Sequence, residues 1–161
     1  MFYTYIFITE GAIMTKGEKA QALFLEGYNC AQAVFGAFCE DLGLEFETAM
    51  KLSSGFGGGM GRLREVCGAV SGMFMVFDMK HGYTSPTDIT AKKELYSHIQ
   101  TLAKEFEKDN GSIICKELLG LSEKKSEPTP DVRTNEYYQK RPCKELVKIA
   151  ADIVDEYLSK M

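Results

Sequence analysis

The chain has 161 residues, 45% apolar and 26% charged, with 19 Lys and Arg against 23 Asp and Glu for a formal charge of −4. That length suits one domain burying roughly 70% of its unfolded-chain surface, so no metal or disulfide is needed merely to fold. The acidic balance, with neither a zinc-finger spacing nor a basic, aromatic-interleaved strand, excludes nucleic acid as the expected partner, and five thinly spread cysteines exclude a secreted disulfide scaffold in favour of a reducing cytoplasm.

Residues 1–14, MFYTYIFITEGAIM, hold a short apolar run with no leading Lys or Arg, no small-residue cleavage site and too little length to span a bilayer, so no membrane insertion is expected. They are read as an extension upstream of a natural start at Met14, ahead of a single helical domain over 15–161. From Lys16 onward the apolar period is helical and no strand pattern stands out. Ala20, Leu23, Phe24 and Gly27 form a first stripe, continued by Val34, Ala37 and Phe38 after a break at Gly27-Tyr28-Asn29, with Asn29 placed to cap the second half. A short helix is predicted from about Phe46 to Ser53. Five glycines in the seven residues Gly55 to Gly61 then forbid a regular helix and predict a tight loop.

Val66, Val70, Met73, Phe74 and Phe77 mark the next helix, stopped at Gly82, and Pro86 precedes another, with Leu95, Ile99, Leu102, Ala103 and Phe106 on one face and a stop at Asn110-Gly111. Cys115, Leu118 and Leu119 sit on a short helix. The charged segment Ser122–Thr134, with Pro128 and Pro130, reads as a surface connection. The last helix carries Leu146, Ile149, Ala150, Ile153, Val154, Tyr157 and Leu158 at regular i, i+3, i+4 spacing. The expected fold is all-α, a compact bundle of about six helices with a Gly-rich loop.

Four of the five cysteines stand at predicted helix starts. Cys30 follows Asn29, Cys67 follows the Gly-rich loop, Cys115 lies three residues after Ser112, and Cys143 follows Pro142. Unpaired N–H groups and the macrodipole at such positions favour a thiolate. Each also falls on an inward stripe, so the four are free to converge, whereas Cys39 lies across its helix from Cys30 and is left out. Free cysteine is often no more than a small buried hydrophobe, so the argument rests on the four together. The sequence Cys115-Lys116-Glu117-Leu118 recurs as Cys143-Lys144-Glu145-Leu146, placing two of the thiols alike. The gaps are too long for a zinc knuckle or a short iron–sulfur run, yet ligands are able to converge through a fold, and a dithiol–disulfide pair is equally compatible.

The run Cys67-Gly68-Ala69-Val70-Ser71-Gly72, with single cysteines before it at Cys30 and after it at Cys115 and Cys143, resembles the C-GCAxxG-C-C family, whose members are described as redox-active. The resemblance covers the chain from about Lys16 onward and implies a small redox-active protein whose defining residues match Cys30, Cys67, Cys115 and Cys143. An iron–sulfur centre enters by analogy with a related region of multi-cofactor cytochromes; covalent haem is not expected, since no Cys-x-x-Cys-His is present. The expected role is therefore electron transfer or oxidoreductase chemistry, with the four cysteines catalytic or ligating. The centre is an iron–sulfur cluster, a cofactor-free dithiol/disulfide, or zinc. The alternative is a structural zinc-binding or small-ligand or protein-interaction module without redox activity. An unidentified redox protein is the expected partner, and a homodimer stays open.

Gly58 and Gly59 of the Gly-rich loop are candidates to bring backbone N–H groups to an anion or cluster, though the lack of a following Gly-Lys-Ser/Thr rules out a Walker loop, and Gly68 leaves room beside Cys67. Arg62, Arg64 and Arg141 flank two thiols, either as thiolate-stabilising cations or as solvated charge. His98 reads as a satisfied core histidine and His81 as a partner of its helix C-terminus. The methionines read as core filler.

Overall fold

Capping side chains mark where several of the helices begin. The computed structural model describes residues 8–9, 12–123 and 125–161, so the expectation for residues 1–14 falls largely outside the described residues. The short strands β1 (Ile8–Thr9) and β2 (Ala12–Ile13) pair antiparallel, a pairing with no pattern to announce it in two-residue segments. Thr15 then opens α1 (Lys16–Leu25) through a capping box with Glu18. Asn29 opens α2 (Cys30–Gly36) in the same way: its Oδ1 accepts from the N–H of Gln32 at 3.0 Å, and Gln32 Oε1 accepts from the N–H of Asn29 at 3.1 Å.

The α2 helix ends at Gly36 rather than running through Phe38. Beyond it the chain tightens into i to i−3 bonds, from Phe38 N–H to Phe35 O and from Cys39 N–H to Gly36 O, and turns at Gly43 with φ +65°. Ala37 and Phe38 remain buried as their spacing required. Next come α3 (Phe46–Ser53), a 3-10 turn (Ser54–Phe56) and α4 (Gly57–Met60). The last is a hydrogen-bonded turn of unusual hand: Gly58, Gly59, Met60, Gly61 and Arg62 all have φ between +60° and +67°, a run that glycine makes affordable.

The remaining helices are α5 (Gly68–His81), α6 (Ile89–Asn110, capped by Asp88 and ended by Gly111 at φ +83°), α7 (Cys115–Leu118), α8 (Asn135–Lys140) and α9 (Cys143–Ser159). Helix α5 is apolar nearly all round because it is central: α2, α6 and α9 pack against it, and α1 closes the bundle on α2 and α9. Phe24, Phe35, Phe38, Phe77 and Phe106 are fully buried there, each contributing roughly 1.5–3 kcal/mol of burial. Small residues set the spacing. A Cβ on Gly72 would lie 2.9 Å from Ala31 O and from Val34 Cβ, so α2 and α5 touch along their backbones. His98 is half-buried at the edge of the core and satisfied there, with Nδ1 2.7 Å from the Tyr157 hydroxyl and its ring beside Phe77, which His81 also contacts. The result is the all-α bundle, with six helices of seven residues or more among the described residues. No described helix is long and apolar enough to cross a membrane.

Candidate thiol site

The four cysteines arrive from four helix starts. Cys30 is the first residue of α2, fixed by the Asn29 box, and Asn29 Nδ2 also donates to Ser54 O at 3.0 Å, tying that start to the Gly-rich turn. Cys67 is the N-cap of α5, with its N–H donating to Ile113 O at 2.8 Å. Cys115 opens α7 with its N–H donating to Glu65 O at 2.7 Å. These last two bonds flank an isolated antiparallel bridge between Val66 and Ile114, which sets Cys67 and Cys115 diagonally on one face. Ser112 holds the approach to α7: its Oγ donates to the Glu117 carboxylate and accepts from the N–H of Ile114. Cys143 opens α9 directly after its N-cap, Pro142.

All four line one cleft of about 280 Å³, together with Gly58, Gly59 and Gly68. Cys67, Cys115 and Cys143 are 5%, 6% and 8% exposed, and Cys30 is half-buried. The glycines are there because nothing larger fits. A Cβ on Gly59 would sit 2.5 Å from Cys115 Cβ, and one on Gly68 would sit 2.9 Å from Phe56 O and 3.0 Å from Cys30 Cβ. Gly68 thus makes room beside Cys30. Cys39 stands apart, lining a separate cavity with Lys19, Leu23 and Leu44.

The thiols are not electrostatically alike. Cys143 is drawn down to about 7, first by the hydrogen bond it receives from the Cys30 S–H, against the cost of burial, and then by the positive charges of Arg141, Arg133 and Arg64. Cys30 is correspondingly held well above its ordinary value by that same bond and by burial. Burial pushes Cys67 up to about 12, although the N–H groups of Ala69 and Val70 at the start of α5 pull the other way. It also raises Cys115, even though Arg64 Nη1 lies 3.6 Å from its sulfur. The expectation that helix starts lower all four thiols is therefore corrected: the bond with Cys143 and burial raise Cys30, burial raises Cys67 and Cys115, and Cys143 alone is lowered.

Arg64 is 3% exposed, with Nε donating to Ser126 Oγ at 2.8 Å, so it is a buried cation and not solvated charge. Arg62 and Arg141 both reach Asp131 Oδ2, at 3.3 and 2.7 Å, and their charges hold that carboxyl low in spite of its partial burial. The segment read as a surface connection is exposed along nearly all of its described residues, and it also brings Pro128, Pro130, Asp131 and Arg133 to the cleft wall. Arg133 and Tyr137 were not legible as site residues. Arg133 lies 4.3 Å over the Phe24 ring and donates to Phe24 O and Tyr28 O. The signal that points to them is the four-residue spacing of Arg133, Tyr137 and Arg141, which puts both guanidiniums on the Tyr137 ring, at 5.0 and 4.7 Å.

Among the described residues no three or more His, Cys, Asp or Glu side chains are gathered closely enough to hold one metal ion. Within the cleft Cys30 and Cys143 interact as a pair, and Cys67 and Cys115 line the same walls. No curated protein and no solved structure matches the chain. Residues 28–157 match the family described as "Putative redox-active protein (C_GCAxxG_C_C)", a span holding all four cleft cysteines and the Gly-rich turn. The chain belongs to that family.

Proposed function

We propose that the protein is a dithiol–disulfide redox protein in which Cys143 is the attacking thiolate and Cys30 its resolving partner. One observation carries this reading: Cys30 and Cys143, brought from the starts of α2 and α9, line one open cleft, where their interaction and three nearby arginines lower Cys143 to about 7. A thiol with a pKa near ambient pH is the best attacker in thiol–disulfide exchange, since a lower value sacrifices nucleophilicity and a higher one sacrifices thiolate. Cys30, kept protonated and already in contact, is placed to displace the bound group and close the intramolecular disulfide. Two electrons and two protons leave the pair in that oxidation. Cys67 and Cys115, buried and held in the protonated form, line the same cleft outside the exchanging pair. Gly58, Gly59 and Gly68 act by permitting the close approach of the thiol-bearing backbones. The chemistry suits a reducing cytoplasm, where the dithiol form is maintained.

The test is disulfide mapping of the whole protein after anaerobic purification and equilibration with a graded glutathione redox buffer. The expected product is a reversible Cys30–Cys143 bridge with Cys39 still free. An oxidised protein without that bridge overturns the reading, as does stoichiometric zinc, or iron with sulfide, held by the same thiols.

A further inference from the structure

Two of the guanidiniums in the cleft, Arg64 and Arg133, have no carboxylate bonded to them among the described residues. Arg64 is satisfied by Ser126 Oγ and the Cys115 sulfur, Arg133 by two carbonyls and the faces of Phe24, Tyr137 and Tyr138. With Arg62 and Arg141 the cleft wall carries four Arg against a single carboxylate, Asp131, which both of the latter share. A cation as buried as Arg64 is costly unless an anion meets it. Among the described residues Arg64 is met by the Cys115 sulfur and, at longer range, by Asp131, which Arg62 and Arg141 also share, so the wall stays positive when the thiols are protonated or joined in a disulfide.

Size and access point the same way. The cleft's 280 Å³ falls just under the ~300 Å³ lower end of small-molecule sites. Its attacking sulfur belongs to a residue 8% exposed, out of reach of a disulfide fixed on the surface of a folded protein, since exchange needs a nearly linear approach to the target sulfur. On the reading of Cys30 and Cys143 as the exchanging pair, we propose that the oxidant is a small anionic disulfide, its carboxylates received by Arg64 and Arg133, and not a protein partner. The Cys143 thiolate attacks one sulfur of R–S–S–R; that bond breaks, and R–S⁻ leaves to take a proton from water. The Cys30 sulfur then attacks Cys143 in the mixed disulfide, its proton passing to the departing second R–S⁻. One substrate disulfide is reduced by two electrons to two thiols, and the Cys30–Cys143 dithiol becomes the disulfide.

The test is single-turnover oxidation of the reduced full chain by three small disulfides of similar length: dithiodipropionate (anionic), hydroxyethyl disulfide (neutral) and cystamine (cationic). Each rate is divided by that of free mercaptoethanol with the same disulfide, which removes intrinsic reactivity. The normalised anion-to-cation ratio is expected to be about tenfold or more at low salt and to shrink as salt rises. Arg133→Gln is expected to lower it, and Asp131→Asn, which removes the only carboxylate that lines the cleft among the described residues, to raise it. The ratio cancels any change in the thiolate fraction of Cys143, so a merely pKa-setting arginine leaves it unmoved. A wild-type ratio near one, or a ratio that neither variant moves, overturns the anionic site while leaving the dithiol pair intact. A bridge that forms with a protein disulfide and with none of the three small ones overturns the substrate class. If no oxidant of either kind yields the Cys30–Cys143 bridge, the function proposed above fails as well.

Discussion

Cys143 differs from its neighbours because of what touches it. The Cys30 S–H and the charges of Arg141, Arg133 and Arg64 favour its thiolate, while Cys67 has burial to contend with and only the start of α5 in its favour. Alkylation of Cys143, followed by peptide mass spectrometry across pH, is therefore expected to rise with a midpoint near 7. Cys30→Ala and Arg141→Gln should each move that midpoint upward towards 9.0, the value of an ordinary thiol. A midpoint unchanged in both variants would show that neither group holds the thiolate. Stability under reducing conditions follows with opposite signs. Cys143, depressed in the fold, adds stability that is fully present above 9.0 and is lost as pH falls through about 7. Cys67, raised in the fold, adds stability that is present below 9.0 and is lost as pH rises towards about 12. Urea midpoints measured from pH 9 upward should fall for the wild type and fall less steeply for Cys67→Ala. At this scale the positions of the thiols were legible, because Asn29, Ser112 and Pro142 are ordinary helix-start residues. Their acidities were not, since desolvation depends on the whole fold and Arg133 reaches the cleft from a segment whose prolines and charges read as surface.

Among the elements, the Gly-rich turn and the capped starts do different work. The turn was predicted as a tight loop, and the structure adds its hand: five successive left-handed residues, two of them Met60 and Arg62, which lack the freedom of glycine. Single non-glycine residues there cost on the order of 1–2 kcal/mol, a strain held in place where Arg64 is turned into the cleft at φ +62°. Gly59→Ala adds that conformational cost to a collision with Cys115 and should lower the melting temperature by several degrees while slowing Cys143 exchange. Gly72→Ala, which presses α5 against α2 away from the cleft, should destabilise by about 1–3 kcal/mol and leave the Cys143 midpoint in place. If the two variants behaved alike in exchange, the turn would be scaffold only. Asn29→Ala removes the α2 box and the tether to Ser54, at a cost of about 1 kcal/mol, and is expected to raise the Cys143 midpoint as well by loosening Cys30. The early end of α2 was not legible, because Ala37 and Phe38 are buried in a turn as fully as a helix would bury them.

For the molecule as a whole, the order of the helices converts scattered cysteines into neighbours. Helix α5 runs through the middle with α2 and α9 against it, so the starts of all three meet at one end, and the Val66–Ile114 bridge brings α7 to the same place. The apolar periods announced this bundle because each stripe of Phe, Leu and Val has a partner to bury it. They could not announce the cleft, which is made by what the stripes leave unfilled and by the connection from 122 to 134 where it reaches the wall. The most direct measurement is a redox titration of the full chain through graded thiol–disulfide buffers, with free thiols trapped by alkylation and counted by intact mass. One reversible two-electron transition is expected in the wild type and in Cys39→Ser. In Cys30→Ser and in Cys143→Ser it should be gone. A transition that survives unchanged in either of those two variants would contradict the account.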